Sequence, residues 1–149
     1  MIKPFKFASI PRIILGAGTL TELYNIIPEF GINVLFVIGG KSLKQSGTWN
    51  EIVENMNKKK FNFSQISIRE EPSPSRIDEI AAEYRINDLD VIIGIGGGSV
   101  TDAGKAISAM IPNQDSIINY LEGVGTKKPD GSKIPYIAIP TTSGTGSEA

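Results

Sequence analysis

The stretch VIIGIGGGSVTDAGK, residues 91–105, decides the fold of this chain. Residues 91–95 form a short apolar run rich in β-branched side chains, which predicts a buried strand. Gly96, Gly97 and Gly98 follow, and they lack the Cβ atoms that would obstruct a sharp turn or keep a ligand away from the backbone. Apolar residues then recur at helical spacing: Ala103, Ala106, Ile107 and Met110. The stretch therefore predicts a strand, a tight turn and a helix.

The first turn of this helix is a candidate anion-binding site. Its N–H groups have no carbonyl partner within the helix, and the helix dipole favours negative charge there, so a pyrophosphate is the natural occupant. We predict that Ser99 is the N-cap, with Asp102 three residues further on. The run differs from the usual dinucleotide fingerprint and from a Walker A loop. A plain strand–helix turn is the alternative interpretation of the three glycines.

The same alternation of strand and helix extends through the rest of the chain. Residues 34–38 and 136–139 predict strands that run into Gly39-Gly40 and Pro140-Thr141-Thr142, and 61–68 is a weaker strand candidate. Apolar side chains at helical spacing predict three further helices. These helices are outlined by Leu20, Leu23 and Ile27; by Trp49, Ile52, Val53 and Met56; and by Ile77, Ile80, Ala81 and Tyr84, the last capped by Ser75 with Asp78 in the reciprocal position.

Short connections between alternating strands and helices predict an α/β fold. We expect a Rossmann-like, mainly parallel sheet with helices on both faces. A ligand of such a sheet lies at the carboxyl ends of the strands, so the glycine turns and the threonine pair should share one edge. Residues 112–133 are rich in proline and glycine and predict a surface excursion, with a turn at Asp130-Gly131.

Composition restricts the possible functions. The 149 residues suffice for one domain. The net charge of −1 does not indicate a basic surface that would bind nucleic acid or an anionic membrane. The chain has no cysteine and no histidine, which excludes disulfides, thiolate chemistry and imidazole metal ligands. The N-terminal residues 1–12 lack the apolar core of a signal peptide, and no apolar run reaches the ~18 residues of a membrane span. We therefore expect a cytoplasmic protein.

Four segments together resemble one family. The pattern Gly-Gly-Gly-Ser-x-x-Asp-x-x-Lys at 96–105 is similar to the cofactor motif of the iron-containing (group III) alcohol dehydrogenases. The segment IPTTSGTGSE at 139–148 resembles their second signature, and EPSP at 71–74 resembles the loop beside the nicotinamide ribose. Pro11 with the segment 13–18 resembles their N-terminal strand and turn. The four matches occur in the family's order and span nearly the whole chain.

The resemblance implies a domain organisation. In that family, which belongs to the dehydroquinate synthase-like superfamily, an N-terminal Rossmann-like domain binds NAD(P). A helical C-terminal domain holds divalent iron or zinc through an aspartate and three histidines. Residues 1–149 would be the NAD(P)-binding domain, with the metal-binding catalytic domain absent from this chain. We therefore expect no catalytic or metal-binding residue here and no alcohol–aldehyde interconversion by the chain alone. The full-length enzyme would be a homo-oligomer acting on a small alcohol or aldehyde.

The resemblance also implies cofactor-binding roles for individual residues. Backbone groups of Gly97, Gly98, Ser99 and Val100 would contact the pyrophosphate. Asp102 would hold the loop or reach the nicotinamide side. Ser73 would lie by the ribose. Thr141 and Thr142, with Thr145 as a weaker candidate, would approach the adenine and its ribose. Lys105 is more typical of an exposed helix lysine, and Ser143, Gly144 and Gly146 of turn formers.

Two other classes of protein remain open. A glycerol dehydrogenase-like or dehydroquinate synthase-like relative would share the glycine turn, but the segment PTTSGTGSE favours the alcohol dehydrogenase branch. A stand-alone nucleotide-binding module is the other alternative. The downstream sequence would separate an alcohol dehydrogenase from such a relative through the spacing of its metal ligands. Nucleotide binding without turnover, by a chain shown to be the complete natural product, would support the module.

The loop after residues 34–38 bears on which dinucleotide is preferred. NAD-preferring folds usually place a carboxylate there to accept hydrogen bonds from the ribose hydroxyls. Here Gly39 and Gly40 occupy the position, and no acidic residue lies between Asn33 and Glu51. Ser42 can donate a hydrogen bond to a 2′-phosphate, and Lys41 or Lys44 can supply positive charge. Related NADP-preferring enzymes have a similar Gly-Gly-x-Ser run, so we predict NADP(H) over NAD(H). The alternative is a plain helix start with Ser42 as its N-cap.

Overall fold

A single parallel sheet forms the centre of the molecule. The structure, a computed structural model, describes residues 11–147. Within these residues the sheet has four strands in the spatial order β2-β1-β3-β4, and every neighbouring pair is parallel. The strands are β1 (Asn33–Ile38), β2 (Asn62–Ser67), β3 (Val91–Gly96) and β4 (Tyr136–Pro140). The predicted α/β fold is confirmed, as are the four strands predicted from apolar runs, with ends that shift by at most one residue.

The helices connect successive strands. They are α1 (Leu23–Ile26), α2 (Ser42–Gln45), α3 (Thr48–Lys58), α4 (Pro74–Tyr84) and α5 (Gly98–Met110), with short 3-10 helices at Thr19–Glu22, Ile27–Glu29 and Ile117–Tyr120. Within residues 11–147, none of the helices is long and apolar enough to cross a membrane.

Apolar side chains on both faces of the sheet build two cores. Leu35 and Val37 of β1 pack with α4 and α5, whereas Phe36 and Ile38 pack with α1 and α3. Successive strand residues point to opposite faces, so a strand covered on both sides must be apolar throughout. This requirement explains the continuous apolar runs of β1 and β3, whose residues are nearly all buried.

The strand order creates a switch point between β1 and β3. The chain passes from β1 to β2 on one side and then crosses to β3 on the other side of β1. In open α/β sheets, ligands bind in the crevice outside the carboxyl ends of the strands at such a point. The N–H of Gly39 donates to the carbonyl of Ile95 at 3.3 Å, so the glycine loop after β1 lies at this crevice.

Two predicted helix caps are each wrong by two residues. Ser73, rather than Ser75, caps α4, because its Oγ accepts the N–H of Arg76 at 3.3 Å and Pro74 occupies the first helical position. Proline suits that position since its φ is already helical and its missing N–H is not needed. Gly97, rather than Ser99, precedes α5, and no side-chain cap bond is present there. Ser99 is already inside the first turn and cannot cap it.

Long-range polar contacts fix the excursion at 112–133. Asp78, predicted in a reciprocal cap, instead accepts the Ser116 hydroxyl at 2.5 Å and the Ile117 N–H at 2.8 Å. Further along, Lys127 Nζ lies 2.7 Å from a carboxylate oxygen of Asp115. The predicted turn at 130–131 is present, with Gly131 at φ +90°. The excursion therefore follows the surface but is held at several points.

The predicted N-terminal strand is absent from residues 11–15, none of which is assigned to a strand. Ile13 and Leu15 are 73% and 94% exposed. Gly18 does form the expected turn, at φ +77°. The segment before residue 11, on which the signal-peptide interpretation rested, and Glu148 of the second signature lie outside the described residues.

Candidate functional site

The segments that follow the four strands meet at the carboxyl edge of the sheet. Ile38 is in register with both Ser67 and Ile95, and Gly96 is in register with Pro140. Because all four strands are parallel and end at the same level, the loops after them share one edge. The predicted convergence of the glycine loops and the threonine pair is confirmed.

The glycine turn, residues 96–98, packs directly against the threonine loop, residues 141–147. The N–H of Thr141 donates to the Gly96 carbonyl at 2.8 Å. A Cβ at Gly97 would lie 3.3 Å from Thr142 Oγ1, and one at Gly98 would lie 3.1 Å from the Thr145 methyl group. Gly97 and Gly98 therefore make room for the threonine loop to pack against the turn. This internal packing is what the alternative interpretation, a plain strand–helix turn, requires.

The first turn of α5 presents N–H groups at this edge. The N–H groups of Val100 and Thr101 donate to the Gly97 carbonyl at 3.1 and 3.0 Å. Those of Gly98 and Ser99 have no helical carbonyl one turn before them. Val100 is the weakest of the four predicted phosphate contacts, because its side chain is buried and its N–H is already bonded.

One cavity lies beside the glycine turn and contains two carboxylates. Its volume is about 370 Å³, and we call it the acidic cavity. It is lined by Glu71, Pro72, Gly98, Ser99, Asp102, Thr145 and Ser147. Asp102 accepts the Ser147 hydroxyl at 3.0 Å, so it ties the threonine loop to the first turns of α5. Ser73 is next in sequence to this lining, and its hydroxyl caps α4 and is 2.9 Å from that of Ser75.

A second cavity lies beyond the ends of β1 and β2 and contains only basic charges. Its volume is about 300 Å³, and we call it the basic cavity. It is lined by Gly40, Lys41, Lys44, Gln45, Ser67 and Arg69. Gly39 and Ser42 are adjacent in sequence but outside this lining. The sequence analysis did not predict Arg69 as a site residue, because its proximity to the loop after β1 depends on β2 being the neighbour of β1 in the sheet.

Gly40 has no internal reason to be glycine among the described residues. No atom lies within 4 Å of the position that a Cβ would take, and its φ is outside the left-handed region. A side chain would instead enter the open space at the basic cavity. At Gly40 the absence of a side chain therefore leaves room for a bound group and serves no packing contact within 4 Å.

Tyr136 supports α5 from below the glycine turn. Its hydroxyl donates to the Thr101 carbonyl at 3.1 Å, and its ring lies between Gly94 of β3 and Gly104 of α5. Burial, followed by the charge of Asp102, raises the pKa of the Tyr136 hydroxyl well above its ordinary value. The tyrosine therefore stays protonated and acts as a fixed donor.

The described residues do not offer a site for a transition metal. The sequence has no histidine or cysteine, and within residues 11–147 no three acidic side chains are grouped so that they could hold an ion. Iron and zinc sites in enzymes are typically built from imidazole with carboxylate or thiolate. The donor set of this region does not fit such a metal.

The fold, the switch point and the glycine turn opening α5 define a Rossmann-like domain. The profile of the family described as iron-containing alcohol dehydrogenase matches residues 11–149. The chain therefore belongs to the iron-containing alcohol dehydrogenase family.

Curated relatives are similar along most of this chain. The chain is 28% identical to the probable NADH-dependent butanol dehydrogenase 1 of Bacillus subtilis, over 97% of its length and 37% of the relative. It is 31% identical to the probable alcohol dehydrogenase EutG of Escherichia coli, over 96% of its length and 36% of the relative. The chain thus spans just over a third of the length of these proteins.

Solved structures are also similar along most of this chain and over just over a third of their own length. The NADH-dependent butanol dehydrogenase A of Thermotoga maritima matches with a TM-score of 0.83 and 28% identity, over 96% of this chain and 36% of that one. The sulfoacetaldehyde reductase of Bifidobacterium kashiwanohense, solved in complex with NAD+, matches with a TM-score of 0.72 and 29% identity, over 89% and 35%.

Proposed function

We propose that this chain is the dinucleotide-binding part of an NAD(P)-dependent alcohol dehydrogenase that interconverts a small alcohol and its aldehyde. The observation that carries the proposal is the glycine turn opening a 13-residue helix at the carboxyl edge, beside the switch point and in contact with the threonine loop. When bound, the nicotinamide ring supplies the hydride donor or acceptor. The residues of this chain bind and orient it.

Each part of the edge suits one part of the cofactor. The first turn of α5 would hold the pyrophosphate through the N–H groups of Gly98 and Ser99. Thr141 and Thr142 would approach the adenine, and the adenosine ribose would lie toward the end of β1. The acidic cavity would take the nicotinamide end, where Asp102 and Glu71 can accept hydrogen bonds from ribose hydroxyls and favour the positively charged, oxidised ring.

The catalytic metal belongs, in this proposal, to a helical domain outside these 149 residues. The mismatch between the local donor set and a transition metal supports this division, as does the one-third share of the relatives' length. Alcohol oxidation would then require both parts. A cytoplasmic location and a homo-oligomeric assembly remain predictions from the sequence.

We also propose a preference for NADP(H) over NAD(H), carried by Gly39, Gly40 and Ser42. The open space at Gly40 supports it, because an aspartate there would fill that space and repel a 2′-phosphate. Some relatives are named as NADH-dependent, so the preference would be a local property of this loop. Replacing Gly40 with Asp should shift the ratio of dissociation constants (Kd) toward NAD, and an unchanged ratio would point to another residue.

A charge placed at the helix start tests the binding mode. We expect NADPH fluorescence titrations to show saturable binding, and Ser99→Asp to weaken it at least tenfold through repulsion of the pyrophosphate. The same substitution favours α5 itself, since an acidic residue in a first turn stabilises a helix by about 0.3–1 kcal/mol. Asn87→Asp adds an equal charge at an exposed position before β3, at the opposite edge. Equal binding by both variants would exclude the first turn of α5 as the phosphate site.

A further inference from the structure

Three cationic side chains converge on the basic cavity from different parts of the chain. Lys41 lies in the β1–α2 connection, Lys44 lies in α2, and Arg69 lies two residues beyond β2. No carboxylate is among the residues lining this cavity. Like charges that share a cavity repel one another, and a multiply charged anion would offset that repulsion.

Arg69 is the best anchored of the three cations. The preceding residue, Ile68, is buried, and its N–H donates to the Ile38 carbonyl at 2.8 Å. Arg69 therefore emerges from the end of the sheet, whereas the two lysines lie on an exposed loop and a four-residue helix. A guanidinium also presents a planar pair of donors that matches two phosphate oxygens, which an ammonium group cannot do.

We propose that Arg69 is the residue that recognises the 2′-phosphate of the bound NADP(H), across the basic cavity from Gly40. The inference rests on the proposed dinucleotide site, because the pyrophosphate on α5 brings the adenosine ribose toward the end of β1. Ser67 and Gln45, which also line the cavity, can donate further hydrogen bonds to the same phosphate. Lys41 and Lys44 add charge without fixed geometry.

The test compares ligands that differ only in the 2′-phosphate. Dissociation constants for NADP+, NAD+, 2′,5′-ADP and 5′-AMP would be measured by calorimetry on the complete gene product and its variants. Arg69→Gln should weaken NADP+ and 2′,5′-ADP about tenfold, as expected for a charge-assisted phosphate contact that remains partly solvated. NAD+ and 5′-AMP should change less than twofold. Arg69→Lys should fall between the two. Lys59→Gln is the matched control, since it removes an exposed cation at the end of α3, just before β2, at the other edge.

The outcomes separate this inference from the proposed function. Normal NADP+ binding by Arg69→Gln, or equal weakening of both dinucleotides, would overturn the role of Arg69 while leaving the dinucleotide site intact. Absence of binding of either dinucleotide to the unsubstituted protein would overturn both. Equal affinities of the unsubstituted protein for NAD+ and NADP+ would also contradict the inference, because no residue would then be contributing a favourable contact to the 2′-phosphate.

Discussion

The packing of Tyr136 between two glycines gives a sharp quantitative prediction. An alanine Cβ at Gly94 would overlap Tyr136 Oη, but it would lie 3.0 and 3.2 Å from ring atoms Cζ and Cε2. An alanine Cβ at Gly104 would lie 2.6 Å from both Oη and Cε2. Removing the hydroxyl therefore relieves most of the first clash and little of the second. Tyr136→Phe should rescue Gly94→Ala and should not rescue Gly104→Ala.

The magnitudes follow from overpacking and from one hydrogen bond. Each alanine should lower the free energy of unfolding by about 1–3 kcal/mol. Tyr136→Phe alone should cost about 0.5–1.5 kcal/mol, because the bond to the Thr101 carbonyl is lost. Gly94→Ala with Tyr136→Phe should then cost roughly as much as Tyr136→Phe alone, a coupling of about 1–3 kcal/mol. In the double variant Gly104→Ala with Tyr136→Phe, the two losses of unfolding free energy should be close to additive.

Urea unfolding followed by the fluorescence of Trp49, the single tryptophan, would give these values. Trp49 is buried and lies edge-on to Phe36 with ring centroids 5.3 Å apart, so its emission should report loss of the core. Free energies come from linear extrapolation to zero denaturant. Equal rescue of both alanine variants, or rescue of neither, would refute the assigned position of the Tyr136 hydroxyl.

Three further predictions test other parts of the structure. Arg85→Met should cost about 1–3 kcal/mol in urea unfolding, because the guanidinium donates to three carbonyls at the end of α5 and just beyond it. Lys127 and then Tyr120 lower the pKa of Asp115, so Asp115 contributes stability that is present above its ordinary pKa of 3.8 and is lost as the pH falls through the lowered value. Asp115→Asn should therefore flatten the acid limb of a stability–pH curve, and an unchanged limb would contradict this. The purified 149-residue chain should show no alcohol oxidation with NADP+ and added iron or zinc, and turnover free of host dehydrogenases would refute that expectation.

The sequence was sufficient to predict the strands and helices and the edge of the sheet at which the loops after the strands meet. Apolar runs such as 91–95 must be buried on both faces, so they are read easily as strands of a covered parallel sheet. The glycine turn follows from the same run. Helix starts were harder, because Ser73 and Ser75 are equally good caps by residue type. Only the position of Pro74 at the start of the helix decides between them.

Contacts between distant segments were not predictable from one sequence. Arg69 is related to the β1 loop through the adjacency of β1 and β2, which depends on the order of strands in space. The bonds of Asp78 to the excursion join positions 38 and 39 residues apart and have no local signature. Local patterns therefore located the glycine turn and the threonine loop but missed one wall of the basic cavity.

The crystal structure of the protein bound to NADP+ tests the central claim most directly. We predict pyrophosphate oxygens within hydrogen-bond distance of the Gly98 and Ser99 N–H groups, the nicotinamide end at the acidic cavity, and the 2′-phosphate beside Arg69 in the basic cavity. A cofactor bound away from the carboxyl edge of the sheet, or with no phosphate contact to the first turn of α5, would contradict the proposed function.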